Sequence, residues 1–146
     1  MSGADKTGKT VVIVDDDAEM REMLVDSMDR SVSDVRTAAD GEKGRDIILK
    51  CLNNLSKGSI LKIITDFNMP GLDGVQMLQA VFEIQKGSRA QICAVILSGN
   101  PDEAQAAVTA AGIDCVVLGK SASAKKILTA LAAPTEQSEF VGVAAQ

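Results

Sequence analysis

The residues that could do chemistry in this chain are acids, one hydroxyl and one lysine. Asp15-Asp16-Asp17 follow the apolar run Val11-Val12-Ile13-Val14. Asp66 closes Ile63-Ile64-Thr65 and is followed at once by Phe67-Asn68-Met69-Pro70-Gly71. Ser98 ends the apolar run at 92–97, and Gly119-Lys120 ends the run at 114–118. Carboxylates brought close together raise one another's pKa unless a cation joins them. A hard divalent ion with oxygen ligands answers that need, and magnesium typically takes one or two carboxylates together with waters and a phosphate. Lys120 adds a positive charge and Ser98 a hydroxyl donor. Carboxylate nucleophile, divalent cation, ammonium and hydroxyl are the parts that phosphoryl transfer uses.

Those parts work only if the chain gathers them. Residues 10–14, 35–37, 60–65, 92–97 and 114–118 read as strands, short and rich in β-branched residues. Between them the period changes to helical. Met20, Met23, Leu24 and Met28 mark a first helix from Ala18 to about Asp29. Asp40-Gly41 reads as a turn, and Ile47, Ile48, Cys51, Leu52 and Leu55 mark a second helix stopped by Lys57-Gly58. Asp73-Gly74 opens a third helix, Ala104, Ala107, Val108 and Ala111 carry a fourth closed by Gly112, and Ile127, Leu128 and Leu131 carry a fifth ended by Pro134. Five strand–helix units imply a five-stranded parallel sheet with helices on both faces. The carboxyl ends of its strands then form one edge, which bears Asp15, Asp16, Asp17, Asp66, Ser98 and Lys120. Residues 1–9 read as an N-terminal tail, 10–132 as one domain and 133–146 as a C-terminal tail.

Composition removes several classes of function. The sequence contains no His, which excludes a Ser-His-Asp triad and a His-ligated zinc site. A net charge of -5 argues against a nucleic-acid surface. No apolar stretch has membrane-spanning length and no signal-peptide pattern opens the chain, so a soluble, cytoplasmic protein is expected. Cys51, Cys93 and Cys115 are odd in number, widely spaced and apolar in context, as buried reduced thiols are. Gly3-Ala4-Asp5-Lys6-Thr7-Gly8-Lys9-Thr10 matches the phosphate-loop string but has no strand before it and no helix after it, so it is set aside.

Val11 to Asp17, Asp66 to Gly74, Leu97-Ser98-Gly99 and Gly119-Lys120 together resemble the receiver domain of two-component response regulators. The resemblance covers about residues 10–132 and is most specific in Asp66-Phe67-Asn68-Met69-Pro70-Gly71-Leu72-Asp73-Gly74. It implies a flavodoxin-like (βα)5 three-layer sandwich. It also implies that a histidine kinase or phosphotransfer protein passes a phosphoryl group to Asp66 with Mg2+. Asp15 and Asp16 would gather the metal with Asp66 and the main-chain carbonyl of Asn68, and Arg21, six residues after Asp15, favours that pair over Asp16-Asp17. Ser98 would be the switch hydroxyl and Lys120 the partner of Asp66 or of its phosphoryl group. Asn68 and Asn100 would tune the hydrolysis that returns Asp66 to its free form. With no output domain expected after the receiver, the signal would leave by binding a downstream protein, through the fourth and fifth strands and helices.

Two departures from the family pattern stand out. Ser121 follows Lys120 where the family usually has proline, and Val117 stands where an aromatic switch is usual. A cis bond without proline costs about 3 kcal/mol, so a trans bond or a strained loop is expected after Lys120. A receiver that binds partners without phosphorylation is therefore one rival. A phosphatase of the haloacid-dehalogenase type, with Asp15 as nucleophile and Asp17 beside it, is another. Against the latter, Glu19 replaces the usual Thr or Val, only Glu136 and Glu139 remain after Lys120 and could not complete the metal site, and Asp66 would have no task. Taken singly, Asp17 reads as a helix cap.

Overall fold

The computed structural model describes residues 10–28, 32, 34–55, 59–85 and 91–132. The two expected tails, the far end of the first predicted helix, Lys57-Gly58, Pro134 and most of the phosphate-loop string lie outside these residues.

Strands β1 (Thr10–Val14), β2 (Asp34–Ala38), β3 (Ile60–Asp66), β4 (Gln91–Ser98) and β5 (Val116–Gly119) alternate with helices α1 (Ala18–Ser27), α2 (Gly41–Asn54), α3 (Gly74–Gln85), α4 (Pro101–Ala111) and α5 (Ala124–Ala132). All pairings are parallel and the order across the sheet is β2-β1-β3-β4-β5. This is the flavodoxin-like order, in which ligands bind where the strand order reverses, between β1 and β3.

The central strands are apolar on both sides, and their period of two sorts the core into layers. Val12, Val14, Leu61, Ile63, Ala94 and Ile96 face a cluster that takes in Ile48, Cys51 and Leu52 of α2, Leu78 and Val81 of α3, and Val108 of α4. Val11, Ile13, Ile64, Val95 and Leu97 face the other cluster, with Leu24 of α1 and Ile127 and Leu131 of α5. The sheet thus has three helices on one face and two on the other.

Helix ends follow their caps. Asp17 accepts the N–H of Glu19, as a cap should, and Asp40 accepts that of Lys43 at 2.8 Å. Asp40-Gly41 is therefore the start of α2 and not a free turn, and α2 begins earlier than its apolar stripe. It ends at Asn54, with Leu55 as its extended C-cap, and not at Lys57-Gly58. Asp73 and Gln76 exchange main-chain to side-chain bonds at 2.8 and 3.0 Å, a capping box for α3. Gly112 takes the left-handed conformation, φ 70°, that closes α4. The fifth strand starts at Val116, two residues later than the apolar run suggests. No described peptide bond is cis and no described residue other than glycine has positive φ, so the bond after Lys120 is trans.

Candidate functional site

Register places the acids. Val14 pairs with Thr65, so Asp15 and Asp66 leave adjacent strands side by side at the point where strand order reverses. Both are buried, at 1% and 3% exposure, while Asp16 is exposed. One carboxylate oxygen from each of Asp15, Asp16 and Asp66 lies within 4.8 Å of the others. Asp17 is not part of this group, because its carboxylate is turned to the N-terminus of α1.

Each acid is held differently. The Asp15 main chain donates to Ala38 O at 3.1 Å, and its Oδ1 accepts the Asp17 N–H at 2.9 Å. Its Oδ2 is buried with no hydrogen-bond partner. A buried carboxylate oxygen without a donor is costly unless something positive meets it. Burial pushes the Asp15 pKa above its ordinary value, against the pull of the Asp17 N–H and Lys120. Asp66 rises to about 6, through burial first and the Asp15 charge second, and Lys120 offsets only part of this. Two acids made reluctant to ionise, with a third beside them and one oxygen unpartnered, form a donor set that suits a hard divalent cation.

The next strands complete the edge. Asp66 pairs with Leu97 and Ser98 with Gly119, so Ser98 and Lys120 follow in order across the sheet. Lys120 Nζ lies 3.2 Å from Asp66 Oδ1. Partial burial works to lower the Lys120 pKa, but the Asp66 bond and the nearby acid charges outweigh it and the net shift is upward. Lys120 N donates to Ser98 O at 2.9 Å, which fixes the loop that carries the ammonium. Ser98 is buried, and its Oγ accepts the Asn100 N–H at 2.9 Å.

The loop after Asp66 is fixed by close backbone approach. Phe67 N donates to Leu97 O and Gly74 N to Phe67 O, both at 2.9 Å. A Cβ on Gly74 would collide with Asp66 O, and one on Gly41 would collide with Leu72 O. Asn68 is exposed on this loop. The sequence signals these features only locally: a glycine directly after a potential cap in Asp40-Gly41 and Asp73-Gly74, and an Asn directly before a Pro in Asn100-Pro101, where α4 starts. None of the three cysteines is in a disulfide; Cys51 and Cys93 are buried and Cys115 only partly so. Burial pushes the Cys115 thiol up to about 12, which keeps it protonated. Among the described residues no helix is long and apolar enough to cross a membrane.

Comparison with known proteins agrees with this geometry. The sequence model of the response regulator receiver domain matches residues 11–132. A probable chemotaxis protein CheY from Rhizobium etli is 38% identical over 72 residues, 49% of this chain and 50% of the relative, so the match spans half of each. Chemotaxis response regulator CheY4 of Vibrio cholerae superposes with a TM-score of 0.64 at 26% identity, over 86% of this chain and 97% of that one. The receiver domain of the histidine kinase CKI1 from Arabidopsis thaliana, complexed with Mg2+ and BeF3−, superposes with a TM-score of 0.65 at 25% identity, over 88% of this chain and 93% of that one. With the strand order, the acid cluster and a match over nearly the whole described chain in agreement, the protein belongs to the receiver domains of two-component response regulators and is CheY-like.

Proposed function

We propose that Asp66 accepts a phosphoryl group from a histidine kinase or phosphotransfer protein and that the phosphorylated receiver signals by binding a downstream protein. The observation that carries this reading is the placement of the buried Asp66 between two unlike neighbours. On one side Lys120 stands at 3.2 Å; on the other is the Asp15 carboxylate with its unpartnered Oδ2. Asp15, Asp16 and Asp66 would hold Mg2+ with the main-chain carbonyl of Asn68. Bound there, the ion would neutralise charge on the acids and on the transferring group. Support comes from the Arabidopsis receiver domain, which is complexed with Mg2+ and BeF3−.

An Asp66 oxygen would attack phosphorus while the bond from phosphorus to the donor's imidazole nitrogen breaks, leaving an acyl phosphate on Asp66. Lys120 would follow the charge from the carboxylate to the phosphoryl oxygens, and Ser98 would offer its hydroxyl. Water attack at the same phosphorus would return Asp66 and inorganic phosphate, with no separate substrate turned over. Residues 10–132 would act as the signalling unit, in the cytoplasm. The phosphatase rival needs Asp15 and Asp17 in one site, whereas Asp17 caps α1.

Intact-mass measurement with acetyl phosphate and Mg2+ tests the proposal. One added phosphoryl group is expected, absent from Asp66→Asn. Full labelling of Asp66→Asn would move the acceptor elsewhere. No labelling from acetyl phosphate or from any kinase would leave the phosphorylation-independent binding module as the function.

A further inference from the structure

Asp15 is pinned at three of its four polar atoms. Its N–H is bonded to Ala38 O on β2, its Oδ1 to the Asp17 N–H, and its carbonyl oxygen accepts Arg21 Nη1 at 2.7 Å. Only Oδ2 is left without a donor. The Arg21 bond is the shortest of the three and is charge-assisted, the class that is both strong and directional. Its main-chain N–H donates to Asp17 O, so the residue sits in the first turns of α1 and is fixed relative to the capped loop. It spans from the helix back to the end of β1, across Asp16, which the bracing therefore includes.

The positive charge that acts on the Asp15 carboxyl comes from Lys120. Arg21 bonds the main chain instead, on the peptide that joins Asp15 to Asp16. What it contributes is therefore the direction in which two neighbouring carboxylates leave the backbone. Residues that orient ligands in this way typically change metal affinity 10–100-fold when removed.

On the reading of the acid cluster as a divalent-cation site, we infer that Arg21 is a positioning residue for that site, holding the Asp15–Asp16 peptide so that both carboxylates converge with Asp66. Lysine is not an equivalent: its ammonium is a point donor on a shorter flexible stem and reproduces the single Nη1 bond to the carbonyl only in part.

The test is isothermal titration of Mg2+ into the unphosphorylated chain, the sequence having no Trp or Tyr to report binding by fluorescence. Arg21→Met, Arg21→Gln and Arg21→Lys are compared at a temperature where melting curves show each to be folded. About tenfold or greater weakening is expected for Met and Gln. Partial recovery is expected for Lys. The amide resonances of Asp16 and Asp17 are expected to shift in the metal-free variants, since those groups flank the released carbonyl. If the unsubstituted chain binds no Mg2+, the cation-site reading fails and the inference fails with it. If the unsubstituted chain binds but folded Arg21→Met or Arg21→Gln matches it within twofold, only the inference is overturned. Full recovery by Arg21→Lys would also overturn it, by assigning the effect to charge and not to geometry.

Discussion

Lys120 Nζ stands 3.2 Å from Asp66 Oδ1, yet the two ends of this ion pair occupy different surroundings: the carboxylate side chain is 3% exposed and the lysine side chain 39%. The pair therefore cannot be treated as a surface salt bridge at one end or as a buried one at the other. Truncating the exposed partner leaves a buried carboxylate with less compensation. Lys120→Met is expected to destabilise the metal-free chain by about 1–2 kcal/mol at pH 8, less than for a fully buried pair because water screens the lysine end. Removing the cation raises the folded-state pKa of Asp66 further. The cost should then shrink as pH falls and the carboxyl protonates. Melting temperatures of both proteins at pH 8 and pH 5 check this; an equal loss at both would show that the lysine stem, and not its charge, matters.

Asp66 gives the pH dependence its sign. Its folded pKa of about 6 lies above the ordinary 3.8, because burial and the Asp15 charge oppose ionisation. The folded state then holds the proton more tightly than the unfolded one, so this group's contribution to stability falls as pH rises from about 4 to about 6 and stays lost above. A two-unit shift corresponds to ~3 kcal/mol at most. Asp66→Asn is neutral at every pH. It is expected to raise the melting temperature of the metal-free chain at pH 8, and to lose that advantage near pH 4. Destabilisation by the substitution at pH 8 would contradict the assignment of Asp66 as the strained carboxylate.

The alternation of strand and helix was legible because the strands are short β-branched runs and the helices carry periodic stripes. Asp15, Asp66 and Ser98 were legible as edge residues because each directly follows such a run, and Lys120 because one glycine separates it from the last. Where α2 begins was not, since Asp40-Gly41 looks the same as a turn and as a cap until the partner of Asp40 is known. The Asp15 contact was half-legible: the six-residue spacing to Arg21 marks the register, but only the fold shows that the guanidinium reaches a carbonyl and not a carboxylate. The closeness of Gly74 to Asp66 O and of Gly41 to Leu72 O depends on how loops pack, which no local pattern encodes.

Those two contacts give a separable expectation. At Gly74 a methyl group would strike the backbone of Asp66 itself, and backbone cannot rotate away as a side-chain tip can. Gly74→Ala is expected to cost about 1–3 kcal/mol, the range for overpacking a tight site, and to slow labelling from acetyl phosphate. Gly41→Ala meets Leu72 O, farther along the same loop, and is expected to cost a similar amount with a smaller effect on labelling. Chemical denaturation gives the first quantity and the time course of labelling the second. Equal slowing in both variants would show that the loop moves as one body.

From Ser98 a run of side-chain to main-chain bonds leads to the start of α4. Val117 is half-buried against the cluster of α2, α3 and α4 and has no ring to exchange between two positions. Ser98 Oγ, however, accepts the N–H of Asn100, and Asn100 Oδ1 in turn accepts the Glu103 N–H as the cap of α4. If the hydroxyl turns to a phosphoryl group on Asp66, the Asn100 N–H loses its acceptor and the cap loosens with it. Loss of such a cap costs typically ~1 kcal/mol, enough to raise exchange in the first turn of α4 about fivefold. Hydrogen exchange is expected to quicken at Asn100 and Glu103 on labelling with acetyl phosphate and Mg2+. Asn100→Ala should show the fast exchange at Glu103 without any phosphoryl group. Ser98→Ala should show it at Asn100, and labelling should then change little further at either amide. A response confined to β5 and α5, with α4 unchanged, would place the outward path elsewhere.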